Sequence, residues 1–201
     1  MFVKPLAFFR FLYPSLIWKK AGSKKIWLTF DDGPTPEVTE FILSVLKSEK
    51  ILATFFLVGK DILKNQLIYQ KIKADGHTIG NHTNSHLNGW KTSSKKYIQD
   101  IEKCQELMKE NVLFRPPYGK ITSRQILSLK KKYKLILWDI LSYDFKEKNP
   151  TKLKNNILEN ISDGSIVVFH NNKKSYEILK KTLKNIIIEL KGMGYSFSSS
   201  W

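Results

Sequence analysis

The chain has 201 residues, of which 42% are hydrophobic and 26% are charged. This length fits one domain and this composition fits an ordinary globular protein, which excludes a disordered chain, a collagen-like repeat and a polytopic membrane protein. Cys104 is the single cysteine, so an intrachain disulfide framework and a cysteine-rich zinc finger are excluded as well.

The chain is strongly basic, with 34 Lys and Arg against 18 Asp and Glu and a net charge of +16. The lysines are scattered through predicted helices and short connectors, and no nucleic-acid-binding motif accompanies them. We therefore expect solvated helix faces and no nucleic-acid partner. We also expect the charge to favour association with an anionic cell wall or membrane surface, with an attraction that salt screens.

The N-terminal segment, residues 1–25, is apolar and basic. Arg10 and Pro14 interrupt its aromatic stretch, which is too short to span a bilayer, since a span needs ~20 apolar residues. No small-residue cleavage site follows, so no cleavable signal peptide is evident and we expect a cytoplasmic or membrane-peripheral protein. We expect the segment to pack on the outside of the fold. The alternative is a membrane-surface anchor whose lysines face anionic lipid.

Extended apolar runs alternate with helical patterns from residue 26 onward. The pattern predicts strands at residues 26–30, 53–58, 77–81, 113–115, 134–139, 165–169 and 195–198. It predicts helices from residue 36, where Thr35 can cap and Pro36 suits the first position, and at residues 61–74, 93–109, 122–133, 150–161 and 175–191. Repeated strand–helix units imply one α/β domain over residues 26–201, built on a parallel sheet that is either open or closed into a barrel.

Chemically active side chains follow the predicted strands. They are Asp31 and Asp32 after the first strand, His82 and His86 after the third, Arg115 to Tyr118 after the fourth, Asp139 and Asp144 at or after the end of the fifth, and His170 after the sixth. The carboxyl ends of parallel strands face the same way, so these groups converge on one rim, where such folds place their chemistry.

Two of these groups suggest a metal site. The adjacent carboxylates Asp31 and Asp32 repel each other unless a cation or base shares the site, although a plain turn would also explain the pair. His82 and His86 are four residues apart, and within one helical turn both rings would lie on one face. With Asp32 they form a two-histidine, one-carboxylate set that can hold a divalent ion with open positions.

Five segments resemble the signatures of a known family, the polysaccharide deacetylases of carbohydrate esterase family 4. They are, in the family's order, the runs at residues 29–34 (TFDDGP), 82–86 (HTNSH), 115–118 (RPPY), 138–145 (ending in DF) and 168–170 (VFH). The resemblance implies an irregular (β/α)7–8 barrel. It also implies a metal-dependent hydrolase that removes N-acetyl groups from N-acetylglucosamine-containing glycans of chitooligosaccharide or peptidoglycan type.

The resemblance assigns a metal site to Asp32, His82 and His86. In this family the site would hold one divalent ion, most often Zn²⁺, with Co²⁺, Mn²⁺ or Ni²⁺ as alternatives. Asp31 would be the general base, and Arg115 would pair with it and keep it ionised.

The resemblance also assigns the general acid and the groups that face the substrate. His170 would be the acid, held in its charged form by Asp144. The backbone N–H of Tyr118 would stabilise the oxyanion. The implied substrate-binding residues are Pro117, Tyr118, Phe145 and Val168.

Two positions depart from the family pattern. Leu141 stands where the family usually has Asp, and Phe145 stands where it usually has Trp. Asp139 lies two residues before Leu141 and would face the same way on an extended strand, so we expect it to substitute in part for the missing carboxylate.

Two other functions remain open at this point. The first is hydrolysis of another non-peptide amide, such as a small cyclic amide, on the same fold. The second is a non-catalytic protein that binds glycans or anions. A non-catalytic protein predicts loss of Asp31 or His170, and both residues are present.

Overall fold

A computed structural model describes residues 3–5, 7–109 and 111–201. The strands are β1 (Leu16–Ile17), β2 (Lys25–Asp31), β3 (Thr54–Leu57), β4 (Thr78–Asn81), β5 (Leu113–Phe114), β6 (Lys134–Ile136), β7 (Ile140–Leu141), β8 (Ile166–His170) and β9 (Ser196–Phe197). The α-helices are α1 (Ala7–Leu12), α2 (Pro36–Ser48), α3 (Gly59–Lys64), α4 (Gln66–Ala74), α5 (Ser94–Gln105), α6 (Ser123–Leu129), α7 (Pro150–Leu158) and α8 (Lys173–Gly192).

The strands form one curled parallel sheet in the order β1-β6-β5-β4-β3-β2-β8-β7, and β9 pairs with β2. The chain passes from β6, near one end of this order, to β7 at the other end within residues 137–139. Leu137 N–H donates to the Ile17 carbonyl at 2.8 Å, and Asp139 N–H donates to the Ile166 carbonyl at 3.0 Å. The two ends of the sheet must therefore meet, which confirms the predicted irregular (β/α)7–8 barrel and excludes an open sheet.

The same closure explains why the predicted strand over residues 134–139 is wrong in one respect. It is two short strands, β6 and β7, because the backbone changes hydrogen-bonding partners between Leu137 and Asp139. A local sequence pattern indicates that the backbone is extended, but it does not identify the strand with which that backbone pairs.

The N-terminal segment contributes to the sheet. β1 pairs with β6, although the sequence predicted no strand before residue 26. Arg10 of α1 forms an ion pair with the buried carboxylate of Asp139. The aromatic side chain of Phe11 is 82% exposed. Association of this segment with a membrane surface stays a prediction. Among the residues described, no helix has the length and apolar character to span a bilayer.

The core includes a layer of aromatic side chains on neighbouring strands. The ring of Phe30 on β2 stacks between Phe55 on β3 and Phe169 on β8, with centroid distances of 5.2 and 5.8 Å. All three side chains are fully buried. Burial of this kind stabilises a fold by about 1.5–3 kcal/mol per large apolar side chain and holds the strand ends that carry the polar groups in register.

Gly80 on β4 is required by close packing. A Cβ atom there would lie 2.4 Å from Cδ1 of the Phe56 ring. We predict that Gly80→Ala lowers the free energy of unfolding by about 1–3 kcal/mol, because the buried ring must shift. Urea denaturation monitored by circular dichroism measures this change.

The matched control is Gly192→Ala at the end of α8, where an added Cβ meets no atom within 4 Å. It should leave stability unchanged or raise it by about 0.4–1 kcal/mol. Equal stability of the two variants would contradict the packing argument.

Candidate active site

The turn after β2 separates two adjacent carboxylates. Asp31 ends the strand and Asp32 has φ of 71°, in the left-handed region that Asp tolerates better than most residues. Gly33 follows with φ of 68°, and a Cβ there would lie 2.4 Å from Nδ2 of Asn171. The turn therefore requires glycine at this position, and the two carboxylates face different partners.

Asp32, His82 and His86 come together as the sequence predicted. Their ligand atoms all lie within 4.8 Å of one another. Asp32 Oδ1 is 3.1 Å from Nε2 of His86 and 3.8 Å from Nε2 of His82. This arrangement brings one carboxylate and two imidazole nitrogens to a common point, as a divalent ion requires.

The second nitrogen of each imidazole is held by another group. His82 Nδ1 lies 2.7 Å from the Arg115 carbonyl, to which it can only donate. His86 Nδ1 lies 3.0 Å from the Tyr118 hydroxyl. These contacts leave Nε2 of both rings for an ion, which is the arrangement that metal-binding histidines usually have. The residues therefore fit a divalent metal.

The protonation states also fit. Burial lowers the pKa of His82 to about 4, against the nearby carboxylates, so the ring is neutral near pH 7. Burial opposes ionisation of Asp32, but the hydrogen bond from His86 and the charges of the histidines hold its pKa well below the usual range. A neutral imidazole and an ionised carboxylate are the forms that bind metal.

Asp31 is paired with a fully buried arginine. Arg115 Nη1 donates to Asp31 Oδ1 and to Thr29 Oγ1, both at 2.7 Å, and Arg115 is 0% exposed. Arg115 Nη2 donates to the Leu137 carbonyl at 2.8 Å. Removing one partner of a buried pair of this kind typically costs ~3–5 kcal/mol, and the contact fixes the orientation of Asp31.

His170 ends the strand beside Asp31, and the two residues are register partners of β8 and β2. Asp144 accepts from the His170 backbone N–H through Oδ2 and contacts His170 Nδ1 through Oδ1, both at 2.7 Å. Ser142 Oγ donates to the same Oδ1 at 3.0 Å.

The environment of His170 favours its charged form. Burial opposes the imidazolium, but the charge and hydrogen bond of Asp144, helped by Asp31 and Asp32, raise the pKa of His170 to about 9. The ring is therefore a proton donor at neutral pH.

These groups open into a cavity of about 560 Å³. Its lining holds eight of the predicted site residues, namely Asp31, Asp32, His82, His86, Tyr118, Phe145, Val168 and His170, together with Leu141, Trp138 and Asn172. Arg115 and Asp144 are fully buried and support it from outside the lining. Pro117 is buried in the turn that carries Tyr118 and is also outside the lining.

A larger cavity of about 780 Å³ lies at the amino ends of β4 and β5 and contains none of the predicted site residues.

The prediction that Asp139 substitutes in part for the carboxylate missing at position 141 is wrong. Asp139 accepts from Ser165 Oγ and from Arg10 at 2.5 Å, next to the amino end of β8, whereas His170 is at the carboxyl end of that strand. Asp139 N–H pairs with the Ile166 carbonyl at the amino end of β8, and His170 is four residues farther along that strand, so the carboxylate lies away from the site. Leu141 lines the cavity as an apolar wall and pairs with Val168.

Sequence analysis missed two polar contacts. One is the Tyr118 hydroxyl on His86, because the family pattern assigns Tyr118 a role through its backbone. The other is Asn172, whose Nδ2 donates to Asp32 Oδ2 at 2.6 Å. Asn immediately before a helical pattern is a capping signal, but the pattern over residues 175–191 placed the helix start two residues too late to reveal it.

Comparison with known proteins identifies the family. The chain matches the polysaccharide deacetylase family over residues 19–135. It is 33% identical over 188 residues to a peptidoglycan-N-acetylglucosamine deacetylase of Bacillus cereus, covering 90% of this chain and 88% of that protein. It is 34% identical over 158 residues to a chitooligosaccharide deacetylase of Azorhizobium caulinodans, covering 74% of each chain.

A solved relative has the same fold. It is a peptidoglycan N-acetylglucosamine deacetylase crystallised with a naphthalenyl N-oxidanyl-benzamide. It superposes with a TM-score of 0.89 at 31% identity over 94% of this chain and 93% of that one. The chain therefore belongs to the polysaccharide deacetylase family, carbohydrate esterase family 4.

If Asp32, His82 and His86 bind the metal, replacing one of them should release it. We expect one divalent ion per chain in the wild-type protein, and we expect His82→Ala to lose it, because removing one of three ligands leaves two. Elemental analysis after dialysis measures the stoichiometry, and circular dichroism checks that the fold persists.

His77→Ala is the matched control, since His77 is a buried histidine whose Nδ1 accepts from the Ala53 N–H outside the site. This variant should keep the ion. Full occupancy in His82→Ala would remove this group as the metal site.

Proposed function

We propose that the chain is a metal-dependent hydrolase that removes N-acetyl groups from N-acetylglucosamine-containing glycans of peptidoglycan or chitooligosaccharide type. The observation that carries this proposal is the pairing across β2 and β8: a carboxylate fixed by a buried arginine lies in register with an imidazole fixed by a buried carboxylate. Both face one cavity with the Asp32, His82 and His86 group. The named relatives act on N-acetylated glycans, which supports the substrate class.

The metal would be held by Asp32, His82 and His86. Nitrogen and carboxylate ligands with open positions suit Zn²⁺, and they also suit Co²⁺, Mn²⁺ or Ni²⁺. When bound, the ion would lower the pKa of a water molecule and polarise the acetyl carbonyl.

Asp31 is the general base in this mechanism. Arg115 occupies its Oδ1 at 2.7 Å, and we assign the proton of the attacking water to Oδ2. The buried guanidinium holds one oxygen of the carboxylate and limits its rotation. A positioned base of this kind contributes about 10²–10⁴-fold to a rate.

His170 is the general acid. Its Nδ1 is held by Asp144, so Nε2–H carries the proton to be donated. As the C–N bond breaks, the departing nitrogen takes this proton and leaves as the free amine of the sugar. The acetyl group leaves as acetate with the oxygen of the water. The raised pKa keeps the ring charged until this step.

The remaining walls suit an acetyl group on a sugar. Val168, Leu141 and Phe145 form an apolar side of the cavity that fits the acetyl methyl. The ring of Phe145 packs edge-on against His170 with a centroid distance of 4.8 Å. Tyr118 has φ of 61° and is 60% exposed, so its backbone N–H is assigned to the oxyanion and its ring to the sugar at the cavity mouth.

Hydrolysis of another non-peptide amide would use the same groups, so the substrate assay decides between the two. We expect acetate release from chitooligosaccharides or peptidoglycan fragments, abolished by chelator and restored by Zn²⁺. Asp31→Asn and His170→Ala should each lose at least ~10²-fold in kcat, because they remove the base and the acid, and both should keep the metal. Acetate quantification and elemental analysis measure both properties.

Near wild-type turnover in either variant would remove that residue from the mechanism. A metal-loaded, folded protein that releases no acetate from either glycan but hydrolyses a cyclic amide would replace the proposed substrate class.

The Asp144–His170 contact predicts a shift in pH dependence. An acid with a raised pKa is active below that pKa, and its contribution is lost as the pH rises through about 9. Asp144→Asn removes the main favourable charge and leaves burial, which lowers the pKa of His170. We therefore predict that the alkaline limb of the kcat/KM profile moves to lower pH.

Glu147→Gln is the control, because Glu147 forms an ion pair with Lys152 at 3.1 Å and lies outside the cavity lining. It should leave the limb in place. A bound ion adds positive charge near Asp32 in every variant. The test therefore compares the position of the alkaline limb between the proteins and not its absolute pH. An unmoved limb in Asp144→Asn would show that His170 does not titrate there.

A further inference from the structure

The carboxylate of Asp32 is held from both sides. Oδ1 faces the two imidazoles, and Oδ2 accepts from Asn172 Nδ2 at 2.6 Å. A carboxylate on a left-handed turn can rotate about its side-chain bonds, which would move either oxygen away from the histidines. The contact from Asn172 fixes which oxygen faces them.

Asn172 is itself anchored to the fold. It is the N-cap of α8, and its Oδ1 accepts from the backbone N–H groups of Lys174 and Ser175 at 3.0 and 3.2 Å. Because the side-chain amide is planar, fixing Oδ1 on the helix also fixes the direction of Nδ2. The helix runs for 20 residues and buries one face in the core, so it is a rigid support.

The turn and the helix start are joined a second time. Asn171 N–H donates to the Asp31 carbonyl at 2.7 Å, and Thr35 Oγ1 donates to the Asn171 carbonyl at 2.9 Å. The backbone on both sides of the Asp32–Asn172 contact is therefore fixed, and the contact does not depend on a mobile loop.

The residue type at position 172 matches this double task. Asparagine supplies an acceptor for the helix and a donor for the carboxylate on one short side chain. Serine would cap the helix but has no amide N–H to donate to Asp32. Aspartate would cap it but would place a second carboxylate against Asp32.

We propose that Asn172 is a positioning residue that couples the start of α8 to the metal site by orienting the Asp32 carboxylate. This inference rests on the proposed function, since it takes Asp32, His82 and His86 as metal ligands. Groups that hydrogen-bond to metal ligands commonly change metal affinity by ~10–100-fold when they are replaced.

The test compares one substitution at two helix caps. Asn172→Ser keeps the capping oxygen and removes the donor to Asp32. Asn149→Ser makes the same change at the N-cap of α7, where Oδ1 accepts from Lys152 N–H at 3.0 Å outside the cavity lining. Zn²⁺ affinity is measured by competition with a chromophoric chelator, and the urea midpoint of the metal-free proteins is measured in parallel.

We expect the Kd for Zn²⁺ to rise about 10-fold or more in Asn172→Ser and to stay at the wild-type value in Asn149→Ser. The urea midpoint of metal-free Asn172→Ser should stay near that of the wild type, because the cap is kept. Asn172→Thr serves as the second variant if the serine protein folds poorly.

Two results would overturn the inference: wild-type Zn²⁺ affinity in Asn172→Ser, or an equal loss of affinity in both variants. Failure of the proposed function has a different signature, because the wild-type protein itself would then bind no divalent ion.

Discussion

The buried guanidinium of Arg115 is the interaction on which the site depends. It donates to Thr29 and Asp31 on β2 and to the Leu137 carbonyl beyond β6, and it stacks at 4.1 Å over the Phe56 ring on β3. A buried charge is stable only when its donors are satisfied, so the barrel must close around it with these strand ends in place. Its own backbone also takes part, since the Arg115 carbonyl faces His82 Nδ1 at 2.7 Å. One residue thus connects the proposed base, Asp31, to a proposed metal ligand, His82.

Strand register then sets the distance between the proposed acid, His170, and the proposed base, Asp31. Asp31 and His170 are partners across β2 and β8, so no loop is needed to bring them together. Each of the two has its own buried counter-ion, Arg115 for the base and Asp144 for the acid. A carboxylate beside a buried cation and an imidazole beside a buried carboxylate suit the acid–base roles proposed for the two residues.

The residues that carry the proposed chemistry could be predicted from the sequence more fully than the residues that hold them in place. Asp31, Asp32, His82 and His170 follow apolar runs directly, and parallel strands bring their carboxyl ends together, so their convergence could be predicted. Asp139 could not be placed correctly, because its partners Arg10 and Ser165 lie on other elements and are brought to it by tertiary packing.

The two-residue strand β1 carries too little pattern to be detected, and its place is set by pairing with β6. Asn172 did carry a signal, as a capping residue before a helix, but the contact of its other end with Asp32 is a tertiary feature. Leu141 shows the converse. Its departure from the family pattern is visible in the sequence, and the structure shows that it forms an apolar wall of the cavity beside Val168.

A double-mutant cycle on acetate release tests most directly whether Arg115 acts through Asp31. The proteins are metal-loaded wild type, Arg115→Lys, Asp31→Asn and the double variant, each checked for folding by circular dichroism. If Arg115 serves to hold the base, Arg115→Lys lowers kcat, and the double variant is no slower than Asp31→Asn alone, because the base is already absent. A double variant slower by the product of the two single effects would contradict this, since Arg115 would then act on the reaction independently of Asp31.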